Sequence, residues 1–316
     1  MLARSHISQG RVILVEHPVV ILPAGVKLDA SIIVLDEFES QDEPCGAQFL
    51  RLNSQVKKKV LTLKDCSATT NASTLAGIFA TNALDIKLQV DGGGLRSQEQ
   101  KYKALFLKTS RCNHSCGPNA VWRFDRLTFT LSLSAVRDIY PGEEITISYI
   151  NPFLPRHVRR TQLQSKWNFL CHCMHCDVPW TFPGAIAQSD KARHELSTFF
   201  KKLPDWEQWC FDEESEHDLI EMHLRAMRMR EKEGLEGFRG SGTAGSSRDV
   251  AYMKHIDALV MCYGAIADDK EFRKWVNKAR EVKLAEGLYS TAHVNVLDMW
   301  LREPRKFYVW GWKSII

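Results

Sequence analysis

The sequence predicts an α+β protein with a β-rich first part, from residue 1 to about 178, and an all-helical second part, from 183 to 316. Three observations indicate this division. Runs rich in Val and Ile open the chain, apolar and polar residues alternate further along the first part, and helical periodicity dominates after Pro183. At 316 residues the chain is long enough to bury a large core and to hold two domains.

The β-rich part begins with two predicted strands, Arg11 to Glu16 and Pro18 to Leu22, which are separated where Pro18 interrupts the run. From Phe38 to Leu63 the apolar spacing is closer to helical than alternating. The basic triplet at 57–59 falls on the polar side of this helix, where it forms either a solvated face or a docking surface.

Further along, the glycines at 92–94 lack the strand-to-helix transition of a phosphate-binding loop, and we expect a surface loop there. Alternating residues from Val121 to Phe124 and from Leu127 to Ala135 flank Asp125-Arg126 and predict a hairpin. A turn at Pro141-Gly142 follows, and the sheet is expected to end at Tyr149.

The second part shows helical periodicity with faces rich in Lys, Glu and Arg. A Gly and Ser-rich stretch at 234–247 is predicted to be a long loop inside this domain rather than a boundary. The predicted helices are Ala185 to Leu203, His217 to Glu233, Asp249 to Ala267, Lys270 to Gly287 and Ser290 to Leu301.

Charge and hydropathy exclude several classes of protein. The 42 Lys and Arg residues against 38 Asp and Glu give a formal net charge of +4, far from the concentrated charge of a dedicated nucleic-acid binder. The apolar runs near the start are split by Glu16 and His17, which fits neither a secretory signal nor a membrane span. We expect a soluble intracellular protein, in the nucleus, the cytoplasm or both, without direct nucleic-acid binding.

Nine cysteines include a cluster at Cys171, Cys173 and Cys176, and such clustering in an intracellular chain indicates a metal site rather than disulfides. A structural zinc needs four soft ligands, so a fourth must come from elsewhere. His172 and His175 are rival ligands, and three free thiols are the alternative to metal. Covalent haem is excluded because Asp177, not His, follows the cluster. The other cysteines are interpreted as small apolar residues: Cys45, Cys66, Cys112, Cys210 and Cys262.

Three motifs occur in a fixed order: Asn-His-Ser-Cys at 113–116, Gly-Glu-Glu at 142–144 before an apolar run that ends in Tyr149, and Cys-x-Cys-x-x-Cys at 171–176. Together they resemble a SET-domain protein-lysine methyltransferase. The resemblance is closest to the SET and MYND-like branch, although no MYND zinc finger is visible. The residues that indicate this branch are Arg159, Leu163, Trp167 and Phe169.

The resemblance implies S-adenosylmethionine as cofactor and zinc as structural metal. Asn113 and His114 match the residues that hold the adenosine and amino-acid parts of the cofactor. Asn82, in the shorter match Thr81-Asn82-Ala83, matches a residue that binds its methionine portion. Phe169 takes the position of a ring that packs against the adenine, or is a plain core residue. Tyr149 matches the catalytic tyrosine.

The same resemblance implies Cys116 as the fourth zinc ligand, in a post-SET segment with the three later cysteines. It also implies a β-rich SET fold with a helical insert. A related family carries tetratricopeptide-like helical hairpins in the second part, although this sequence shows no clear 34-residue period. Glu143 and Glu144 are interpreted as structural residues rather than acid/base catalysts.

The chief departure from the family pattern is that this sequence does not show a Gly-x-Gly cofactor loop, which would have to precede residue 3. Two readings follow. Either the SET domain is N-terminally shortened and the protein methylates lysines of a histone or another protein, or it is a SET-derived binding or scaffold protein that no longer catalyses. For this sequence we expect S-adenosylmethionine to bind weakly or not at all and methylation to be poor, because the glycines of that loop let the backbone approach the cofactor.

Overall fold

A computed structural model describes residues 1–25, 49–66, 74–90, 98–177, 184–211, 218–237, 251–286 and 291–314. The α+β prediction is confirmed: among the residues described, the strands lie in the first part and helices dominate the second. The strands are β1 (Val12–Glu16), β2 (Val20–Pro23), β3 (Leu84–Val90), β4 (Gln98–Leu105), β5 (Asn113–His114), β6 (Ala120–Asp125), β7 (Thr130–Ala135) and β8 (Thr146–Ile147).

The strands form three small sheets rather than one continuous sheet. Two are antiparallel and three-stranded, in the orders β1-β7-β6 and β2-β4-β3, and the third is the parallel pair β5-β8. One apolar core joins strands of all three sheets, because residues from each point inward. Its fully buried members include Ala104, Phe106, Leu131, Leu133, Ile139 and Ile147.

The predicted strands near the start and the predicted hairpin are confirmed, with β6 antiparallel to β7. The second hairpin strand begins at Thr130, not at Leu127 as expected. The Asp125 side chain accepts a hydrogen bond of 2.8 Å from the Leu127 backbone N–H, and Phe129 has φ +56°. An aspartate that captures the backbone in this way favours a turn, so Leu127 projects into solvent, 85% exposed.

Two short helices and a third longer one accompany these sheets: α1 (Ser54–Leu61), α2 (Leu75–Asn82) and α3 (Arg156–Trp167). Helix α1 begins later than the predicted helical stretch because the Asn53 side chain accepts from the Val56 N–H and caps it. The part of that stretch before residue 49, the glycines at 92–94 and Cys45 lie outside the described residues. Helix α2 and the β3-β4 hairpin were not predicted.

The five predicted helices of the second part are confirmed within a few residues. A short additional helix, α5, was not predicted, because six residues are too few to establish a periodicity. The tetratricopeptide-like arrangement stays a prediction. The helices described in the second part are α4 (Ala185–Lys202), α5 (Trp206–Phe211), α6 (Leu219–Glu233), α7 (Ala251–Ala265), α8 (Asp269–Glu286) and α9 (Thr291–Arg302).

Helix α6 is fixed at both ends by its own sequence. The Asp218 side chain accepts from the backbone N–H groups of Ile220 and Glu221, and Gly234 closes the helix with φ +63°. In the described parts of the chain, we find no helix with the length and apolar character needed to cross a membrane.

A buried pair of histidines connects α6 to α7. His223 Nδ1 lies 2.9 Å from His255 Nδ1, and His255 Nε2 accepts a hydrogen bond of 3.0 Å from Arg230 Nε. Because arginine always donates, His255 must carry its proton on Nδ1 and donate it to His223. Burial lowers the pKa of His223 to about 4 and that of His255 to about 2, so both rings are neutral in the folded protein.

Acidification should therefore destabilise this part of the protein. Unfolded histidines bind protons near pH 6.5, whereas the folded pair binds them only near pH 4 and below, so the stability is complete above pH 6.5 and is lost on acidification. Each ring contributes a slope of about 1.4 kcal/mol per pH unit in that range.

Urea denaturation at several pH values measures this slope. His223→Gln keeps an acceptor for His255 and should reduce the slope by roughly one proton. The matched control is His157→Gln, which changes an exposed histidine and should leave the slope as it is. Equal slopes in all three proteins would contradict the assignment.

Candidate active site and metal centre

A cavity of about 330 Å³ lies where the end of α2, the β5-β8 pair and the end of α3 meet. Four of the five residues predicted to bind the cofactor or catalyse line it together, although they are far apart in the sequence: Asn82, Asn113, Tyr149 and Phe169. His114, the fifth, is not among the lining residues. Other lining residues include Lys64, Cys66, Asp85, Arg111, Lys166 and Trp167.

The parallel pairing of β5 with β8 brings two sequence motifs side by side. Asn113 pairs with Thr146 and His114 with Ile147, and the Ser115 N–H extends the ladder to the Ile147 carbonyl at 3.0 Å. The β6-β7 hairpin lies between β5 and β8 in the chain, so their pairing brings together two strands that are distant in sequence. The Asn-His-Ser-Cys motif and the segment before Tyr149 therefore become neighbours.

Asn119 fixes the same junction with its side chain, which is 1% exposed. Its Oδ1 accepts from the Thr146 N–H at 2.8 Å, and its Nδ2 donates to the Glu144 carbonyl at 2.8 Å and to Glu143 Oε1 at 3.0 Å. Burial alone would raise the pKa of Glu143, but hydrogen bonds, that from Arg137 foremost, lower it. Glu143 is thus a charged acceptor in a structural network, in agreement with its interpretation from sequence.

Tyr149 is held at both its backbone and its hydroxyl. Its N–H donates to His114 Nδ1 at 3.0 Å, and its hydroxyl donates to the Cys112 carbonyl at 2.7 Å. Burial raises the pKa of the phenol well above its usual value, so the group is a neutral hydroxyl at physiological pH. With its proton donated to the protein, the Tyr149 oxygen has lone pairs available as acceptors.

His114 connects Tyr149 to the cysteine cluster instead of lining the cavity. Because Nδ1 accepts from Tyr149, Nε2 carries the proton and faces Cys116 Sγ at 3.3 Å. Burial lowers the pKa of this ring to about 4, which keeps it neutral. The ring centroid lies 5.4 Å from that of Tyr149 and 6.1 Å from that of Phe169.

The two asparagines that line the cavity donate hydrogen bonds from their side-chain amides to other groups of the protein. Asn82 Nδ2 donates to the carbonyls of Lys64 and Ile78, both at 2.7 Å, and Asn113 Nδ2 donates to Glu144 Oε1 at 2.7 Å. Their carbonyl oxygens are left as acceptors.

The four predicted zinc ligands form one cluster: Cys116, Cys171, Cys173 and Cys176. Their sulfur atoms all lie within 4.8 Å of one another, with Cys116 at 4.0 Å from Cys171 and 3.5 Å from Cys176. Zn–S bonds of about 2.3 Å in a tetrahedron place sulfurs about 3.8 Å apart, so this donor set fits structural zinc. A hydrogen bond from Cys116 lowers the pKa of Cys176 to about 6, which favours thiolate character.

The rival histidine ligands lie apart from the four sulfurs. The His172 side chain is 64% exposed and lies 3.6 Å from Asp177, and His175 Nδ1 lies 4.0 Å from Glu233 Oε2. Arg159 faces the cluster instead, with its guanidinium Nη2 3.9 Å from Cys176 Sγ. Burial would lower the pKa of Arg159, but the charges of Cys116 and Cys176 raise it above its usual value. This cation would offset part of the negative charge that zinc-bound thiolates carry.

Comparison with known proteins agrees with this geometry. A family model described as the SET domain matches residues 1–150. A protein-lysine N-trimethyltransferase SMYD5 from Danio rerio is 47% identical over 75 residues, which are 23% of this chain and 18% of that protein. A histone-lysine N-methyltransferase SET5 from Meyerozyma guilliermondii is 42% identical over 74 residues, which are 23% of this chain and 15% of that protein.

A histone-lysine N-methyltransferase SMYD3 from Homo sapiens is 33% identical over 110 residues, which are 33% of this chain and 25% of that protein. Residues 1–150 therefore match the SET domain, and the aligned segments resemble SMYD-named protein-lysine methyltransferases. The aligned segments span a quarter or less of these relatives' own length.

Sequence reasoning missed the residues that support the SET domain from outside the cavity. Asn119 lies three residues after the Asn-His-Ser-Cys motif and was assigned no role, because its burial beside Thr146 is visible only in the fold. Arg193 and Glu233 are both buried and come from the helical second part. Arg193 donates to the Cys116 carbonyl, and Glu233 accepts a hydrogen bond from Arg193. Charged residues on helices are ordinarily solvated, so the periodicity of α4 and α6 carried no signal for them.

We expect the purified protein to hold about one zinc ion per chain, because four thiolates at tetrahedral spacing bind zinc strongly. Cys116→Ser should release most of it, since one ligand is lost and the link between distant segments is opened. Elemental analysis by mass spectrometry, with protein purified without chelators, measures the content.

The matched control for this prediction is Cys210→Ser, which changes a buried cysteine remote from the cluster and should leave the zinc content unchanged. Metal content that is equal in wild type and Cys116→Ser would contradict the ligand assignment.

Proposed function

We propose that this protein is an S-adenosylmethionine-dependent protein-lysine N-methyltransferase. The observation that carries the proposal is that one cavity, in the region that matches the SET domain, is lined together by Asn82, Asn113, Tyr149 and Phe169. The substrate is a lysine side chain of a histone or another protein. The names of the relatives, which act on histone or other protein lysines, support this substrate class.

The chemistry of the cavity fits the proposed cofactor. The oxygens of Asn82, Asn113 and Tyr149 are available as acceptors because their amide and hydroxyl protons are donated within the protein. Acceptors suit a ligand that carries a sulfonium and an ammonium group. Lys64 and Lys166 supply positive charge for a carboxylate at the same cavity. Phe169 offers a half-buried ring face for the adenine.

When bound, S-adenosylmethionine supplies a methyl group on a sulfonium, which is already a good leaving group. The protein must therefore align the reactants and keep water out, and needs no strong base or nucleophile of its own. The fixed Tyr149 oxygen polarises methyl C–H bonds weakly and defines the direction of transfer. His114, through its bond to the Tyr149 N–H, keeps that oxygen in place.

The lysine amine must be uncharged to react. Aromatic and apolar groups around Tyr149 provide low polarity, with the Trp167 ring centroid 5.1 Å from that of Tyr149. Such surroundings disfavour an ammonium ion and lower the pKa of an incoming lysine. The ammonium gives its proton to solvent water as it enters, before the site is closed to water.

In this proposal zinc is structural. Cys116, Cys171, Cys173 and Cys176 hold it, which ties the Asn-His-Ser-Cys motif to the segment that carries Phe169. We further propose that the SET region extends to about residue 178 with these cysteines, that the helical domain occupies 183–316, and that the protein acts in the nucleus, the cytoplasm or both.

Incubation with tritiated S-adenosylmethionine and either histones or a mixture of cellular proteins tests the proposal. Wild type should form methyl-lysine, identified by mass spectrometry. Tyr149→Phe should lower kcat about 100-fold, a loss of about 2.7 kcal/mol in the transition state. It should cost only about 1 kcal/mol in unfolding free energy, because a single hydrogen bond is lost.

Tyr140→Phe is the matched control, since Tyr140 is 61% exposed and its change should leave kcat unaltered. A zinc-loaded version extended at its start with a Gly-x-Gly segment serves as the decisive sample. If it neither binds S-adenosylmethionine in calorimetric titration nor forms methyl-lysine, the proposal is refuted and the binding or scaffold alternative is favoured.

A further inference from the structure

We propose that Arg193, on helix α4 of the helical part, is a positioning residue for methyl transfer. It lies outside residues 1–150, to which the SET family model is confined. Its guanidinium bridges the two segments of the SET region that hold His114 and Tyr149. The expected effect on kcat rests on the proposed function, whereas the expected effect on the structure rests on geometry alone.

The Arg193 side chain is fully buried and satisfies several backbone groups at once. Its Nη1 donates to the Cys116 carbonyl at 3.0 Å and to the Pro152 carbonyl at 2.6 Å. Cys116 lies two residues after His114, and Pro152 lies three residues after Tyr149. One guanidinium therefore connects the two chain segments that follow β5 and β8.

Glu233, at the last turn of α6, fixes the orientation of that guanidinium. Arg193 Nε donates to Glu233 Oε2 at 2.9 Å, and Nη2 donates to the Glu233 carbonyl at 2.9 Å. The carboxylate also accepts from Ser189 Oγ at 2.6 Å, and it is only 6% exposed. A buried, planar group with this many partners has a single available orientation.

The backbones of the two parts also touch directly at this place. A Cβ atom on Gly117 would lie 2.9 Å from the Glu233 carbonyl oxygen, and one on Gly234 would lie 2.6 Å from Gly117 Cα. Glycine is required at both positions for this approach. The end of α6 thus packs against the residue that follows Cys116, which gives the Arg193 contacts a rigid base.

These contacts connect to Tyr149 through bonds already described. His114 accepts from the Tyr149 N–H and faces Cys116 Sγ, so the segments that Arg193 bridges are the segments that meet at His114. Small displacements of reacting groups reduce rates strongly, because transfer requires alignment. Loss of the bridge should therefore lower kcat more than it changes substrate binding.

Two substitutions separate positioning from general support. Arg193→Gln removes the charge beside Glu233, whereas Arg193→Lys keeps that charge but lacks the planar fork that spans Cys116 and Pro152. We expect Arg193→Lys to recover most of the thermal stability lost in Arg193→Gln. Its kcat should remain at least about tenfold below wild type, with the KM for the protein substrate within about twofold.

Hydrogen exchange, followed by mass spectrometry on the zinc-loaded full chain, gives a readout that is independent of activity. Arg193→Lys should raise the exchange rates of peptides covering residues 113–117 and 146–152 together, by about tenfold, and leave the hairpin at 120–135 unchanged. The matched control is Arg225→Lys, at an exposed ion pair with Glu195, which should change neither kcat nor exchange.

Wild-type kcat and exchange in Arg193→Lys would overturn the inference. So would a kcat that recovers in step with stability, or an exchange increase that spreads to the hairpin with loss of zinc, because Arg193 would then be only a general support. Inactivity of the extended version as well as of wild type would refute the proposed function alone, and the exchange data would still decide whether Arg193 bridges the two segments.

Discussion

The β5-β8 pairing is the constraint on which the rest of the site depends. Only two residues of each strand pair, yet they join the Asn-His-Ser-Cys motif to the segment that leads into Tyr149. So short a parallel pair has little stability by itself, because its few hydrogen bonds must offset the entropy cost of closing the long connection between the strands. The buried Asn119 amide supplies the missing backbone partners, since its oxygen and nitrogen bond Thr146 and Glu144 as a third strand would.

Buried arginines supply positive charge on both sides of this pairing. Arg159 faces the sulfurs of the cysteine cluster, and Arg193 pairs with Glu233 and with backbone carbonyls on the other side. Each lies at a place where removal of one partner would leave an unpaired buried charge, which is the costly case for ion pairs. The cysteine cluster, His114 and the Tyr149 backbone N–H form one connected polar network in an otherwise apolar core.

Local sequence determined the elements whose signals are local. The hairpin at 120–135 and the five longer helices of the second part follow from alternation and periodicity and were predicted, whereas the six-residue helix α5 was not. The start of β7 was misjudged because Leu127 fits the alternation, whereas the Asp125 side chain captures its N–H. Helix α2 was missed because its apolar residues, including Ile78 and Phe79, are buried on several sides and show little periodicity.

For the site, the sequence by itself determined which chemical groups are present: the ordered motifs, the tyrosine that ends the apolar run and three thiols with zinc-like spacing. Their arrangement is another matter. Only the tertiary structure decided that His114 faces Cys116 and Tyr149 instead of the cavity, and that Arg193 reaches Cys116 across 77 residues. The physical reason is that such contacts join side chains to backbone groups distant in sequence, and backbone carbonyls carry no mark in the sequence.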